Sequence, residues 1–317
     1  MDRCPAEIWS HIFSYACQDG GSTGCSLSLT SKYIRETSKS VRHRSVALCG
    51  VTKIFYFYHL FKRGQTGPIT YLFLSDNEPS GSGPHNTMDA PHTPPHSNPV
   101  DCLEATTVAM VSDILRSNAI SLSSLSIASS CSSLQLLPSI RFPSITDLSL
   151  VSLERGGEVL STPNLPETLP VLPHLRRLQL VNIDDGDIFD RLSSISPSVS
   201  HLHVTGYRLA PPLDKLPPTV QSILLQPASY VVDIDPRPYL QWLRHTAGFM
   251  EDTSLWTRIT LLRAPAFRAP HNSYEARISW ERTKEGGDTW WTSRNNASLG
   301  QLLTQVEQAV AGERFLP

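Results

Sequence analysis

Pro143-Ser144-Ile145-Thr146-Asp147-Leu148-Ser149-Leu150 is one of four segments that share the template Pro-x-apolar-x-x-apolar-x-apolar. The others open at Pro173 (Leu175, Leu178, Leu180), Pro197 (Val199, Leu202, Val204) and Pro218 (Val220, Ile223, Leu225). Looser copies without the proline are Leu122/Leu125/Ile127, Ile69/Leu72/Leu74 and Trp256/Ile259/Leu261, and Val46 with Leu48 closes an opening copy. The last apolar positions are therefore Leu48, Leu74, Ile127, Leu150, Leu180, Val204, Leu225 and Leu261, spaced 21 to 36 residues apart except for one gap of 53. That gap contains the 25 residues Ser75–Pro99, where Met88 is the only large apolar side chain and prolines recur at 79, 84, 91, 94, 95 and 99. Such a stretch buries too little surface to offset its ordering entropy, so it reads as a disordered insertion within a repeat. With it removed, the period sits near the ~20–29 residues of a stacked strand-and-turn repeat.

Two apolar residues flanking one other residue have the two-residue period of a strand with both side chains on one face. The apolar residue three positions earlier packs under the turn that enters the strand. Stacked units of this kind resemble leucine-rich repeats, with a parallel sheet lining a concave face and helices or loops behind it. The backing helices expected from apolar patterning are Thr52–Lys62 (Ile54, Phe55, Phe57, Tyr58, Phe61), residues 101–117 and Asp187–Leu192. Other connections, such as Thr162–Pro173 and Ala210–Pro218, are proline-rich and suit extended backbone. The in-between strand positions, among them His201, His203 and Arg177, point to the outer, concave side, where solvent-facing strand residues are the plain reading and contact with a ligand the alternative.

Composition narrows the function. With 27 basic and 29 acidic side chains among 317 residues the net charge is −2, too little clustered positive charge for a nucleic-acid binder. The apolar run Val46–Phe61 is interrupted by Thr52 and Lys53 and is shorter than the ~20 residues of a membrane span. The first residues lack the apolar core of a signal peptide, and six irregularly spaced cysteines without a CxxC pair read as reduced thiols. The expectation is an intracellular protein, cytoplasmic or nuclear, with no membrane partner.

Beyond Val232 the repeat stops. A helix opening near Asp235 with Tyr239, Leu240, Trp242 and Leu243, an alternating strand over Ala276–Trp280, and a helix after Ser298 with Leu299, Leu302, Leu303, Val306 and Val310 form the expected C-terminal cap region, 233–317. The tryptophans there (Trp256, Trp280, Trp290, Trp291) are expected to pack that cap, with a partner-anchoring role as the alternative.

At the other end, Pro5 stands at a helix start with Glu7 in the first turn, and Ile8, Trp9, Ile12, Phe13 and Ala16 share one face. A Gly/Ser loop at 19–24 leads to a second helix carrying Leu27, Leu29, Tyr33 and Ile34. The string Pro5-x-Glu7-Ile8-x-x-x-Ile12-Phe13, then Leu27-Ser-Leu29-Thr-Ser31-Lys32 and Arg42-His-Arg-Ser-Val46-Ala-Leu48, resembles an F-box motif over about residues 4–49, and the chain as a whole is similar to fungal-type F-box proteins with leucine-rich-like repeats. Cys4 stands where that family usually has leucine, and the 18–25 loop is long.

The resemblance implies a short helical F-box-like domain (1–49), an irregular leucine-rich-repeat-like solenoid (50–232, with the insertion at 75–99) and the cap, an α/β chain overall. It implies a substrate receptor of a Skp-cullin-F-box ubiquitin ligase. Pro5, Ile8, Trp9, Ile12, Phe13, Leu27 and Leu29 would face the Skp-type adaptor or the F-box core, while the repeats hold a protein substrate. The alternative is a repeat scaffold without adaptor binding. Neither reading involves catalysis or a cofactor, and the chain carries no GxSxG, HExxH or GxxxxGK[ST] motif. His85, His92, His96 and Cys102 fall in and beside the insertion without paired metal-ligand spacing, so no metal site is expected. Asp184, Asp185, Asp187 and Asp190 suit a helix start better than a calcium loop, and Arg176-Arg177 with His174 suits a solvated face.

Overall fold

In the computed structural model, the residues described are 4–77, 99–129, 140–153, 172–182, 187–207, 216–227, 259–261, 276–278 and 280–281, with 244 and 304. Every repeat copy forms a strand: β1 (Ser45–Cys49), β2 (Tyr71–Ser75), β3 (Ser124–Ser129), β4 (Asp147–Ser152), β5 (Arg177–Val181), β6 (His201–Tyr207), β7 (Ser222–Pro227) and β8 (Ile259–Leu261). They make one eight-stranded sheet, all parallel, in the order β1 to β8.

The repeat positions lie level across the strands. Val46, Leu72, Leu125, Leu148, Leu178, Leu202, Ile223 and Ile259 pair in one row, and Leu48, Leu74, Ile127, Leu150, Leu180, Val204, Leu225 and Leu261 in the next. Beneath the entry turns Ile69, Leu122, Ile145, Leu175, Val199 and Val220 join the same core. A recurring backbone device holds this register. The carbonyls of Arg44, Thr70, Ser123, Thr146, Arg176 and Ser200 each accept two successive N–H groups at the entry of the following strand, as when Arg176 accepts from Ser200 and His201, both at 2.9 Å. Because a one-residue slip would turn every apolar side chain to the other face, the pattern and the double bonds select the same register.

A parallel pair needs a crossover. Between β1 and β2 this is α4 (Val51–Lys62), and between β2 and β3 it includes α5 (Pro99–Asn118). Between β5 and β6 it is α6 (Asp187–Ile195), through Phe189, Leu192 and Ile195. Asn118 closes α5 onto the sheet: its side-chain oxygen accepts from Ile69 N at 3.2 Å and its amide donates to the Ile114 carbonyl at 2.8 Å.

This architecture corrects the expected one, a separate helical domain followed by a repeat solenoid with an open concave face and a helical cap. The chain is an α/β protein built on a single all-parallel sheet with helices. Over β2–β5 that sheet is largely buried on both faces, with Tyr71, Asp147, Ser149 and Arg177 partly buried. The second face is closed by Cys49, Phe73, Ala128, Val151, Leu153 and Val181 packed with Ala276 and Trp280. The physical reason was in the other face of the strands: Phe73, between two repeat leucines, and Ala128, Val151 and Val181, each directly after the second repeat position, are apolar too, and strands with apolar residues on both faces belong to parallel sheets covered on both sides. Residues 276–278 and 280–281 are helical rather than extended, which puts Ala276 and Trp280 one turn apart on the face that covers Phe73. The rings of Phe73 and Trp280 lie 5.6 Å apart.

The N-terminal helices are tied to the first edge of this sheet. Edge strands present unpaired backbone groups. Here Ala47 N–H donates to the Gly20 carbonyl at 3.0 Å, Gly20 N–H to Ser45 Oγ at 3.1 Å and Ser45 Oγ to the Gln18 carbonyl at 3.1 Å. Gly20 itself has φ +75°, where a side chain would be strained, and a Cβ there would come within 2.9 Å of the Ala47 Cβ.

The expected insertion at 75–99, apart from its first three residues and Pro99, lies outside the described residues, as do His85, His92, His96, Asp184, Asp185, Trp256, Trp290, Trp291 and most of the region assigned to the cap. Among the described residues no helix is long and apolar enough to cross a membrane, and no group of three or more His, Cys, Asp or Glu is placed to hold a metal ion.

Candidate functional site

Three helices form the N-terminal unit: α1 (Ala6–Ala16), α2 (Ser22–Thr30) and α3 (Lys32–Ser38). Pro5 occupies the cap position before α1, and its carbonyl accepts from Ile8 and Trp9 at 3.1 and 3.3 Å. Ser31 caps α3, its hydroxyl accepting from Ile34 N at 3.2 Å. Asp19 accepts from the Thr23 backbone N–H and hydroxyl at 2.8 and 2.7 Å, which fixes the loop into α2. The small core they share is Phe13, Cys17 and Ile34, with Trp9, Leu27 and Val41 packed around it and the Trp9 and Phe13 rings stacked at 5.4 Å. Burial, helped by Asp19 and Cys25, pushes the Cys17 thiol up to about 11, so it sits there as an inert apolar group.

Of the seven side chains expected at an adaptor interface, the structure thus turns Phe13 inward and leaves Trp9 and Leu27 half-buried. It leaves Pro5, Ile8, Ile12 and Leu29 exposed, at 51%, 47% and 81% for the last three. Two aromatic residues that the sequence reading did not assign to the site accompany them, Tyr15 at 66% and Tyr33 at 44% exposure. Ile8, Ile12 and Tyr15 recur at i, i+4 and i+7, one stripe along α1. Tyr33 donates from its hydroxyl to the Cys4 carbonyl at 3.2 Å, which brings α3 against the start of that stripe. A periodic pattern identified α1 as amphipathic, but the pattern Ile8/Trp9/Ile12/Phe13 is two adjacent stripes, and only packing decides which one is covered.

The second expected site is dispersed. Arg177 lies beside Asp147 on β4 and forms an ion pair with it. His203 is buried, its ring nitrogens 3.4 Å from Gln179 Nε2 and 3.0 Å from Thr205 Oγ1, and Gln179 in turn accepts from Ser149 Oγ at 2.9 Å. These in-between positions form a polar ladder inside the second face instead of an open contact surface. His201, at the strand entry, lies 2.8 Å from Ser200 Oγ. What is open nearby is the rim formed by the entry turns, a recess of about 610 Å³ lined by Pro143, Ser144, Thr146, His174, Arg176 and Ser198. Of its lining, Pro143, His174, Arg176 and Ser198 are exposed.

His43 links the N-terminal unit to α4. Its ring meets that of Phe57 edge-on at 6.3 Å, and its Nδ1 finds no hydrogen-bond partner among the described residues. Burial, then the charge of Arg42, lowers its pKa to about 4. An unfolded histidine titrates near ~6.5, so between that pH and about 4 the unfolded chain binds a proton that the folded chain refuses. The contribution of His43 is complete above pH ~6.5 and lost as the pH falls toward 4. Equilibrium unfolding from pH 7 to 4 is expected to show stability falling with acid, and His43→Gln to reduce that slope by about one proton near pH 5. An unchanged slope would place His43 in solvent.

No protein-family model matches the chain, and no curated protein or solved structure matches it.

Proposed function

We propose that the chain is the substrate-receptor subunit of a Skp-cullin-F-box ubiquitin ligase, docking a Skp-type adaptor through the outer faces of α1–α3. The observation that carries this is the exposed set Ile8, Ile12, Tyr15, Leu29 and Tyr33 beside a separate small core of Phe13, Cys17 and Ile34. Helices that served only to close the sheet edge would turn their larger apolar side chains toward it. Several large apolar side chains left exposed on one small helical unit are instead what a partner covers. Burying such side chains at roughly 1.5–3 kcal/mol each is sufficient to drive association. The F-box resemblance of residues 5–13, 27–32 and 42–48 specifies which partner to try. The substrate would be held at the rim of the sheet, where His174 and Arg176 are exposed. No step of this role needs a catalytic group or cofactor from the chain.

A second reading, a protein-interaction scaffold without an adaptor, is favoured by one observation: the loop from Gln18 to Gly20 bonds to β1, as an edge cover would. Co-purification of the chain with a Skp-type adaptor separates the two. The wild type is expected to form a stoichiometric complex, and the double variant Ile8→Asp, Ile12→Asp to lose it with its melting temperature unchanged, since both side chains are about half exposed in the free chain. If neither protein binds while both stay folded, the scaffold reading takes its place.

A further inference from the structure

α4 carries more apolar surface than the sheet covers. Ile54 and Phe57 are buried in the main core, with Tyr58 and Phe61 packed at its margin. Phe55, Tyr56 and Leu60 are turned away from it, at 45%, 64% and 41% exposure. With His59 and Arg63 they follow the i, i+1, i+4, i+5, i+8 spacing of a single outer face, and together the five line a concavity of about 430 Å³. Phe55 and His59 hold each other edge-on at 4.4 Å, which stiffens one wall.

The stretch of chain that carries this face is basic. Between Glu36 and Asp76 the chain has Lys39, Arg42, Arg44, Lys53, Lys62 and Arg63 and no acidic residue, within a protein whose net charge is −2. Lys62 is neutralised by Asp113 of α5 at 2.8 Å, a carboxylate that also accepts from the Tyr58 hydroxyl at 3.0 Å. Lys53 and Arg63, at the two ends of the outer face, form no ion pair among the described residues. At ~1.5 Å of rise per residue they stand about 15 Å apart, nearly three turns of a helix lying alongside.

We infer that the outer face of α4 is a docking site for an acidic amphipathic helix of a partner protein. Its apolar side chains enter the concavity between Phe55, Tyr56 and Leu60, and its carboxylates meet Lys53 and Arg63. The recognition is helix-in-groove with electrostatic flanks. A bilayer surface fits less well, because α4 is fixed by its buried face and offers three large apolar side chains around a concavity rather than a continuous apolar face to lay into lipid. The site uses no residue of α1–α3 and does not rest on the adaptor reading.

The probe is a synthetic amphipathic helix with a leucine stripe flanked by glutamates, labelled for fluorescence anisotropy, beside the same peptide with lysines in place of the glutamates. The acidic peptide is expected to bind the full chain saturably and more weakly as salt is raised. Phe55→Ser with Leu60→Ser should weaken it by about tenfold or more. Lys53→Glu with Arg63→Glu should reverse the preference toward the lysine peptide. All four side chains face solvent, and unchanged melting temperatures confirm folded variants. The inference is overturned if neither peptide binds, or if both bind equally. It is also overturned if phosphatidylserine-containing vesicles sediment the chain through this face while the peptides do not bind, or if the face is already occupied by a second copy that the Leu60→Ser change releases.

Discussion

Phe73→Ala is expected to destabilise the protein by about 3–5 kcal/mol, a large share of the ~5–15 kcal/mol that folded domains have. Phe73 has no accessible surface and stands in register between Ala47 and Ser126, under Trp280. Truncating it removes the transfer energy of the ring and leaves a cavity that β-strands on either side cannot close, since their positions are fixed by the ladder. Trp280→Ala should cost a comparable amount, and the double variant less than the sum, because each removes the other's contact. Urea unfolding reads all three. A Phe73→Ala loss below about 1 kcal/mol would mean that the second face is open to solvent, because an exposed ring contributes little.

The same residue marks the limit of what patterning reveals. Leucines at x-L-x-L spacing reported β1–β8 correctly because one buried face with a two-residue period leaves a local signature, and α4, α5 and α6 were legible from their apolar stripes for the same reason. Coverage of the other face is not local. Trp280 and Phe73 are brought together by tertiary structure, and five residues with apolar side chains at alternate positions, Ala276–Trp280, satisfy a strand and one helical turn alike. For the site, the sequence located α1 and α2 but could not choose between the Ile8/Ile12 and Trp9/Phe13 stripes. The outer face of α4 is not legible from the apolar pattern, which gives Phe55 the same standing as the packing residues Ile54 and Phe57. Two signals were available there: more aromatic side chains than one helix face can bury, and the absence of acid from Glu36 to Asp76.

Gly24→Ala is expected to loosen the N-terminal unit, although the change should favour α2 by about 1 kcal/mol on helix propensity alone. Gly24 is buried in α2, and a Cβ placed on it would run into the carbonyl group of Arg42. The obstructing atoms are backbone, in the turn where Arg42 N–H donates to the Ser38 carbonyl at 2.8 Å and Arg44 N–H to that of Val41 at 3.0 Å, so no rotamer change relieves the overlap. Overpacking of this kind costs about 1–3 kcal/mol, and a backbone obstacle puts it at the upper end, so the steric cost outweighs the propensity gain. Ser26→Ala, at an exposed position of the same helix, carries the propensity gain without the overlap and should leave stability unchanged or slightly raised. Thermal melts of the two variants distinguish them in sign. A second readout is Cys17, which has no accessible surface and packs under Phe13 and Ile34. Its labelling by N-ethylmaleimide, followed by peptide mapping, is expected to accelerate in Gly24→Ala and to stay at the wild-type rate in Ser26→Ala. If Gly24→Ala melts no lower and Cys17 stays protected, α2 does not rest on the Arg42 turn. The exposed stripe of Ile8, Ile12 and Tyr15 would then not be held at the sheet edge as described, and the adaptor-docking surface would have to be sought on a differently packed set of helices.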